Sequence, residues 1–534
     1  MLNNDTLLQI FSQYRLEHEE DWNLGLMWRK LGHICQRWRY LIYDASTFLG
    51  IHLLLTNGSP SINTLSHLPP LPLVTDYSDR TTTITRRDED NIQLGLQQDG
   101  RVCRVDLQAP SSSFHILLGQ MNRLFPRLTE LSLLSTTAED MSLMLPETLQ
   151  APDLRRLVLH GIGLPKGPSL LPSAIALSTL SVTHIGASCY FPPGHLVTQL
   201  QGLPHLEELS IGFAIPIPLP SSERELLPPL ISPVTLPALR RFTFWGVHVY
   251  LDNLVAQIHT PLLERLALIL SFDLTFTLVN LTEFVQRTEG FRCLVSHIIF
   301  NKDGASIHVG YSEEQDFGKL SLYVNCEPLD WQIDATAQVC FALGKVLSAV
   351  EELTLDLDVD GMPSDWKSVL DSTLWHELLL PFVGVKKLHI GSSLTFELSE
   401  ALESVAGGLV LELLPGLTEV EVHLAIDHAK NALSTFIEIR ESVGRPVELL
   451  ALSMLSRYAH DAAHQRKFAI RKRLPPRLQR TALEEDHIDP KASPKYIDYV
   501  GRPYQSQVVN LFSICRAFIQ AQKQTFRSYD KLRR

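Results

Sequence analysis

A short repeated motif constrains the fold of this chain more than any other feature of its sequence. The motif reads P-x-L-x-x-L-x-Φ, where Φ is a large apolar residue, and a phenylalanine replaces its second leucine once. Its five full copies begin at Pro126, Pro152, Pro204, Pro237 and Pro261. Four less regular copies lie at 177–182, 350–355, 385–390 and 417–422. A repeat of this kind predicts similar structural units that stack side by side.

Each copy of the motif predicts a short β-strand followed by an α-helix. The second half of the motif alternates apolar and polar residues, which is typical of a strand with one buried face. The segments between copies have the period of an amphipathic helix, as at Leu251, Leu254, Val255 and Ile258. Because such a unit cannot bury its apolar face alone, we predict parallel strands inside and helices outside, an irregular leucine-rich-repeat solenoid of the α/β class. An ordinary α/β domain with recurring strands is the alternative.

The same alternation predicts which side chains point away from the core, onto the concave face of the solenoid. Trp245 has Arg241 and Arg265 beside it on this face, a composition that is typical of interface anchors. The alternative is that Trp245 packs under a neighbouring loop. We predict that the face binds a protein target through Arg156, His160, Arg241, Trp245, Arg265, Ile269 and His389.

The first 50 residues predict a small helical module. Apolar side chains recur at helical spacing over residues 5–14, and Asp5 is the expected N-cap of this helix. A second helix is expected from about Trp28 to Ile42, with a broad apolar face. Two or three short helices form only a marginal core, and a partner that covers part of the apolar face would remove this deficit.

Two segments of this module resemble the F-box motif. Residues 7–11 (LLQIF) are similar to the L-x-x-I-F helix of F-boxes, and residues 34–39 (ICQRWR) are similar to their later V/I-C-x-x-W-R. Downstream, 121–128 (MNRLFPRL), 244–251 (FWGVHVYL) and 444–447 (GRPV) resemble the large F-box-like leucine-rich-repeat family of mushroom-forming fungi. A combination of this kind is far more specific than any one of its pieces.

The resemblance, which covers residues 5–455, implies a substrate-recognition adaptor of an SCF-type cullin–RING ubiquitin ligase. In that family the F-box helices dock on the Skp adaptor, and the repeat domain holds a protein target, whose identity is unknown here. The resemblance implies no catalytic residue and no cofactor in this chain. Carried over position by position, it implies that the adaptor is contacted by Leu7, Leu8, Ile10, Phe11, Ile34, Cys35 and Trp38.

Motifs of enzyme and metal sites do not occur in the sequence. It contains no G-x-x-x-x-G-K-[ST], no G-x-S-x-G and no H-E-x-x-H. Residues 356–361 (DLDVDG) are similar to the first half of a calcium loop, but its twelfth position is Lys367 where a bidentate glutamate is needed. The leucines within this segment indicate a strand. We therefore expect no catalytic site, no cofactor and no metal.

The C-terminal part of the chain differs from the rest in its charge. The whole chain carries a net charge of −12, yet residues 456–534 contain 17 Lys and Arg against 7 Asp and Glu. Residues 466–480 include seven basic and no acidic side chains. This run indicates either a nuclear-localisation or phosphate-binding segment or a solvated helix followed by a linker. We favour the second, and so do not expect a nucleic-acid partner.

These patterns divide the chain into four regions. We predict an F-box-like helical module at 1–50, a linker and first cap at 51–100, the solenoid at 101–455 and a basic, partly disordered helical extension at 456–534. Scattered cysteines without a C-x-x-C pair, and charges within the most apolar stretch, indicate a cytoplasmic or nuclear protein without a membrane partner. The alternatives to a ligase adaptor are a leucine-rich-repeat interaction scaffold outside any ligase and a nucleic-acid-associated protein that acts through its tail.

Overall fold

The computed structural model divides the chain into two units. The first comprises Met1–Val422 and Ala429–Leu450, and the second comprises His423–His428 and Ala451–Arg534. The predicted extension at 456–534 lies outside the residues that the structure describes. These described residues are 2–17, 26–46, 48–57, 71–78, 84–136, 142–165, 167, 170–214, 233–271, 275–310, 319–358, 372–404, 413–422 and 426–451.

The described residues contain 18 β-strands, of which 16 form one sheet. The strands are β1 (Leu53–Leu55), β2 (Leu73–Tyr77), β3 (Val102–Ala109), β4 (Glu130–Ser135), β5 (Arg156–His160), β6 (Thr179–Ile185), β7 (Glu208–Phe213), β8 (Val234–Thr235), β9 (Arg241–Gly246), β10 (Ile258–His259), β11 (Arg265–Ser271), β12 (Val295–Asn301), β13 (Gly304–Val309), β14 (Leu320–Asn325), β15 (Glu352–Leu357), β16 (Lys387–Ile390), β17 (Glu419–Val422) and β18 (Glu448–Ala451). Strands β8 and β10 pair with each other in a separate two-stranded sheet.

Helices connect most of these strands. In the described residues they are α1 (Asn4–Glu17), α2 (Leu26–Ile34), α3 (Gln36–Asp44), α4 (Arg86–Leu96), α5 (Ser111–Gln120), α6 (Leu170–Ser173), α7 (Pro193–Leu200), α8 (His248–Val255), α9 (Val279–Arg287), α10 (Leu329–Ala342), α11 (Gly344–Leu347), α12 (Ser372–Leu379), α13 (Thr395–Ser404) and α14 (Ile426–Ser442). Two 3₁₀ turns lie at Ala187–Cys189 and Glu289–Phe291.

The chain is a mixed α/β protein with a large, mostly parallel sheet. All nine copies of the repeated motif form strands of this sheet, in the order β4, β5, β6, β7, β9, β11, β15, β16 and β17. Helices α5, α7, α8 and α9 form where the sequence has a helical period. The predicted alternation of parallel strands and helices is therefore confirmed.

The repeated leucines form the core between the sheet and the helices. Leu131 and Leu133 of β4, like Leu157 and Leu159 of β5, are fully buried and alternate with half-buried neighbours. The first leucine of each full motif copy is buried as well, in the turn before its strand. Burial of one such side chain contributes about 1.5–3 kcal/mol relative to an exposed one, so the repeat supplies much of the stability of the sheet.

The sheet begins earlier than the sequence predicts. Strands β1 and β2 lie within 51–100, the region predicted as a linker and first cap. Strand β1 pairs in parallel with β2, and β2 pairs in parallel with β3. Helix α4 lies in the same region and starts at a capping box between Thr85 and Asp88. These elements lack the repeated motif, which is why the sequence pattern did not identify them.

Three strands in the middle of the sheet correct the expectation of an all-parallel arrangement. Strand β13 pairs antiparallel with both β12 and β14, and the three strands lie between β11 and β15. The β12–β13 connection has only two residues, Lys302 and Asp303, and the side chain of Asn301 accepts a hydrogen bond from the Asp303 amide at 2.9 Å. Gly304 follows, where a Cβ atom would lie 2.1 Å from the carbonyl oxygen of Val324. This position therefore requires glycine.

Candidate functional site

The strand residues that alternate with the buried ones form a second face of the sheet, which we call the open face. Parallel register aligns them into rows that cross the strands. The first row contains Arg156, Thr179, Glu208, Arg241 and Arg265. The middle row contains Val158, Ser181, Ser210, Thr243, Ala267, Ser321, His308, His297, Thr354, His389 and Glu421.

Six of the seven predicted target-binding residues lie on strands β5, β9 and β11, within one five-strand part of the sheet. Arg156, Arg241 and Arg265 share the first row of the open face. His160, Trp245 and Ile269 lie four residues later on the same three strands. His389 is set apart on β16, because β14, β13, β12 and β15 lie between it and β11.

The open face of β5, β6, β7, β9 and β11 is basic, and we call it the basic region. On these strands it carries three arginines and one acidic residue, Glu208, which forms an ion pair with Arg241. Among the described residues, Arg156 has neither an ion pair nor a side-chain hydrogen bond, although its side chain is half-buried. A guanidinium always carries its charge, so this position favours an added anion.

Two residues that the sequence predicts to be exposed in this region are buried. Trp245 is 6% exposed and Ile269 is 4% exposed, so the prediction that they present their side chains to solvent is wrong. The two are cross-strand partners, and their outer neighbours are Gly212 and Tyr323. Both faces are buried at the ends of β9 and β11, which agrees with the alternative that Trp245 is packed rather than exposed.

A histidine pair lies at the end of β5, four residues after Arg156. The Nδ1 atom of His160 lies 3.1 Å from the hydroxyl of Thr183, and its ring stacks on His184 with centroids 5.0 Å apart. The register of β6 shifts here, and His184 has a left-handed φ of 57°. This bulge was not predicted from the sequence. Burial, and then the neighbouring His184, lower the pKa of His160 to about 4, so this histidine is neutral at pH 7.

The open face of β15, β16 and β17 is acidic, and we call it the acidic region. It carries Glu352, Asp356, Glu419 and Glu421 against Lys387. His389 bridges two of these carboxylates, with Nε2 at 2.8 Å from Glu352 and Nδ1 at 3.2 Å from Glu421. Lys387 contacts Glu419 at 2.9 Å and Glu421 at 3.4 Å, and its pKa is raised, mainly by the hydrogen bond to Glu419. Glu352, Glu419 and Glu421 thus each contact Lys387 or His389, and the region keeps an excess of carboxylates.

The antiparallel strands between the two regions carry a second histidine pair. His308 of β13 is buried opposite His297 of β12, and its Nδ1 lies 3.0 Å from the hydroxyl of Ser321. Burial, and then the neighbouring His297, lower the pKa of His308 to about 4. His308 is therefore a neutral hydrogen-bonding group at pH 7.

The predicted adaptor-binding residues lie in the helical module of α1, α2 and α3. Leu7 and Phe11 are buried, and the Phe11 ring packs edge-on against Trp38 with centroids 4.9 Å apart. Leu8 and Trp38 are half-buried, whereas Ile10, Ile34 and Cys35 are exposed. Leu7 and Phe11 thus support the module from inside, and only the other five residues are accessible to a partner.

Side-chain caps and a long-range contact hold the helices of this module in place. The Asn3 side chain accepts a hydrogen bond from the Thr6 amide at 2.7 Å, so Asn3 rather than Asp5 caps α1. Cys35 caps α3, since its sulfur accepts from the Trp38 amide at 3.5 Å. Arg37 donates to the side chain of Asn4 at 2.8 Å, which joins the starts of α1 and α3.

Comparison with known proteins adds no assignment to these surfaces. No protein-family model matches the chain, and no curated protein matches it. Within the described ranges, no helix has the length and apolar character needed to cross a membrane. The same part of the chain contains no group of three or more His, Cys, Asp or Glu side chains placed to hold a metal ion. A function can therefore be inferred only from the residues and their geometry.

Proposed function

We propose that this protein is the substrate-recognition adaptor of an SCF-type cullin–RING ubiquitin ligase, acting in the cytoplasm or nucleus. Its F-box-like helical module docks on the Skp adaptor, and the open face of its leucine-rich-repeat sheet holds a protein target. The observation that carries the proposal is the exposure of Ile10 (46%) and Ile34 (60%) at the positions that the F-box resemblance assigns to the adaptor.

The balance of buried and exposed apolar residues in the module supports this proposal. Leu7, Phe11 and Trp28 give the three helices a core of their own, but a small one. Ile10 and Ile34 remain outside that core, and a partner that fully buries a large apolar side chain gains about 1.5–3 kcal/mol from it. Two such residues can therefore account for a substantial part of an adaptor interface.

A pull-down with the Skp adaptor tests the proposal. The double variant Ile10→Asp/Ile34→Asp places two charges on the proposed interface and leaves the buried Leu7 and Phe11 unchanged. The matched control is Leu16→Asp, because Leu16 is 64% exposed and lies elsewhere around α1. We expect wild type and control to recover the adaptor and the double variant to lose it.

The same experiment separates the ligase adaptor from an interaction scaffold outside any ligase. A scaffold would bind its partners through the open face alone, and this binding would not depend on the exposed isoleucines of α1 and α2. Equal recovery of the adaptor by wild type and Ile10→Asp/Ile34→Asp, or no recovery by either, would contradict the ligase proposal. Circular dichroism of each variant checks that the helical content is unchanged.

A further inference from the structure

The spacing of the three arginines in the basic region defines a geometry for a ligand. Neighbouring strands of a sheet are about 4.8 Å apart. Strand β5 is separated from β9 by three such spacings and from β11 by four. Arg156 therefore starts about 14 Å from Arg241 and about 19 Å from Arg265, measured across the strands.

An extended peptide that crosses the strands matches these distances. A chain in this conformation advances about 3.3 Å per residue, and its side chains alternate between two faces. Residues i and i+4 then point to the same side and lie about 13 Å apart, whereas residues i and i+3 point to opposite sides. A carboxylate pair at i and i+4 can thus reach Arg156 and Arg241 together, and Arg265 lies one strand further along.

The chemistry of the basic region matches an acidic peptide in two further respects. Arg156 forms no ion pair among the described residues, because Glu130, its cross-strand neighbour on β4, contacts Arg104 instead at 3.4 Å. A ligand carboxylate can therefore compensate the half-buried charge of Arg156. Between Val158 and Ala267, the middle row beside the arginines consists of the small side chains Ser181, Ser210 and Thr243, all half-buried. Short side chains let a peptide backbone approach closely, and their hydroxyls can donate or accept hydrogen bonds.

We propose that the basic region binds an extended acidic segment of the target, in which two carboxylates four residues apart pair with Arg156 and with Arg241. This inference deepens the proposed function, because it names the chemistry of the target segment that the open face holds. The charge of the acidic region excludes such a segment from β15–β17 and restricts it to the strands β5–β11.

Fluorescence anisotropy with two synthetic peptides tests the inference on the full chain. Both probes are fluorescein-labelled nonapeptides of alanine, serine and two glutamates, with the glutamates at positions 3 and 7 in one and at positions 3 and 6 in the other. The two have the same charge and composition. We expect the 3,7 peptide to bind at least about tenfold more tightly than the 3,6 peptide, since only the former presents both carboxylates to one side.

Two matched arginine variants complete the test. Arg156→Ala should weaken binding of the 3,7 peptide about tenfold, because one charge-assisted contact is lost. Arg155→Ala, the exposed neighbour just before β5, removes the same charge and should leave the affinity within about twofold. Equal affinity for the two peptides, or equal losses in the two variants, would overturn the inference.

The outcome for the peptide and the outcome for the adaptor are independent. Recovery of the Skp adaptor by a preparation that binds neither peptide would overturn the acidic-segment inference and leave the ligase proposal standing. Selective binding of the 3,7 peptide by a preparation that recovers no adaptor would overturn the ligase proposal and support the acidic segment as a ligand of the open face.

Discussion

The basic and acidic regions occupy the same face of one sheet, but their charges are satisfied in different ways. In the acidic region His389 bridges Glu352 of β15 and Glu421 of β17, and Lys387 contacts Glu419 and Glu421 of β17, so each of the two side chains contacts two carboxylates. In the basic region Arg241 has an ion pair with an acidic residue of the open face, Glu208, whereas Arg156 has none among the described residues.

This difference indicates that the two regions contribute to different properties of the protein. Charged side chains that pair with one another within the fold stabilise it, and a ligand adds little to their interactions. A charged side chain without a partner contributes little to stability, but its interaction with a ligand can contribute most to the binding free energy. We therefore expect substitutions in the basic region to change affinity, and substitutions in the acidic region to change the free energy of unfolding.

Charge reversal provides the largest test of this division. The triple variant Arg156→Glu/Arg241→Glu/Arg265→Glu should lower affinity for the 3,7 peptide about thousandfold, roughly 4 kcal/mol, because each attraction becomes a repulsion. Lys387→Glu in the acidic region should leave the affinity within about twofold. Anisotropy titrations measure both, and thermal melts check that each variant is folded. Comparable losses in the two variants would show that the division is wrong.

Acidification should reveal a second large effect at the border between the two regions. The pKa of His308 is about 4 in the folded chain and near 6.5 when unfolded, so between these values the unfolded state binds protons more readily. The contribution of His308 is therefore complete above pH 6.5 and is lost as the pH falls to about 4, by up to roughly 3 kcal/mol. Urea denaturation across this range should show a steeper loss in wild type than in His308→Gln. Identical pH profiles for wild type and His308→Gln would contradict the contribution that we assign to His308.

The repeated motif predicts most of the sheet and the positions of the arginines on it. Arg156, Arg241 and Arg265 each stand directly before the second apolar residue of a motif copy. Equivalent motif positions have the same register in neighbouring strands, so the sequence alone is sufficient to place the three in one row. The strand alternation also assigns them correctly to the face away from the leucine core.

Burial at the strand ends and local irregularities depend on contacts that the motif does not encode. Trp245 and Ile269 occupy positions that the alternation assigns to the solvent-exposed face, yet they cover each other across neighbouring strands and are buried. His184 reaches His160 only because β6 has a bulge. The β12–β13 hairpin, in contrast, has a signal in the sequence, because Asp303-Gly304 stands between two alternating segments at the end of the turn.

The histidine bridge of the acidic region should have a moderate effect on stability. His389→Ala removes two side-chain contacts and leaves Glu352 and Glu421 without their shared partner, so we expect a loss of about 1–2 kcal/mol in unfolding free energy. Arg241→Ala, which removes an exposed ion pair in the basic region, should cost less than about 1 kcal/mol. Urea denaturation at pH 7 compares the two, and a larger loss for Arg241→Ala would contradict the division.

The smallest expected effect concerns the ion pairs themselves. Double-mutant cycles should give a coupling of about 0.5–1 kcal/mol for Lys387 with Glu419 and about 0.2–0.5 kcal/mol for Arg241 with Glu208, because Lys387 is less exposed and reaches a second carboxylate. The raised pKa of Lys387 means that its contribution is present below pH 10.5 and is lost as the pH rises through the folded value. Both couplings should shrink in 1 M salt, since both pairs are partly exposed. A stronger coupling for Arg241 than for Lys387 would show that the basic region also contributes its charges to stability, and the two regions would then differ in sign of charge alone.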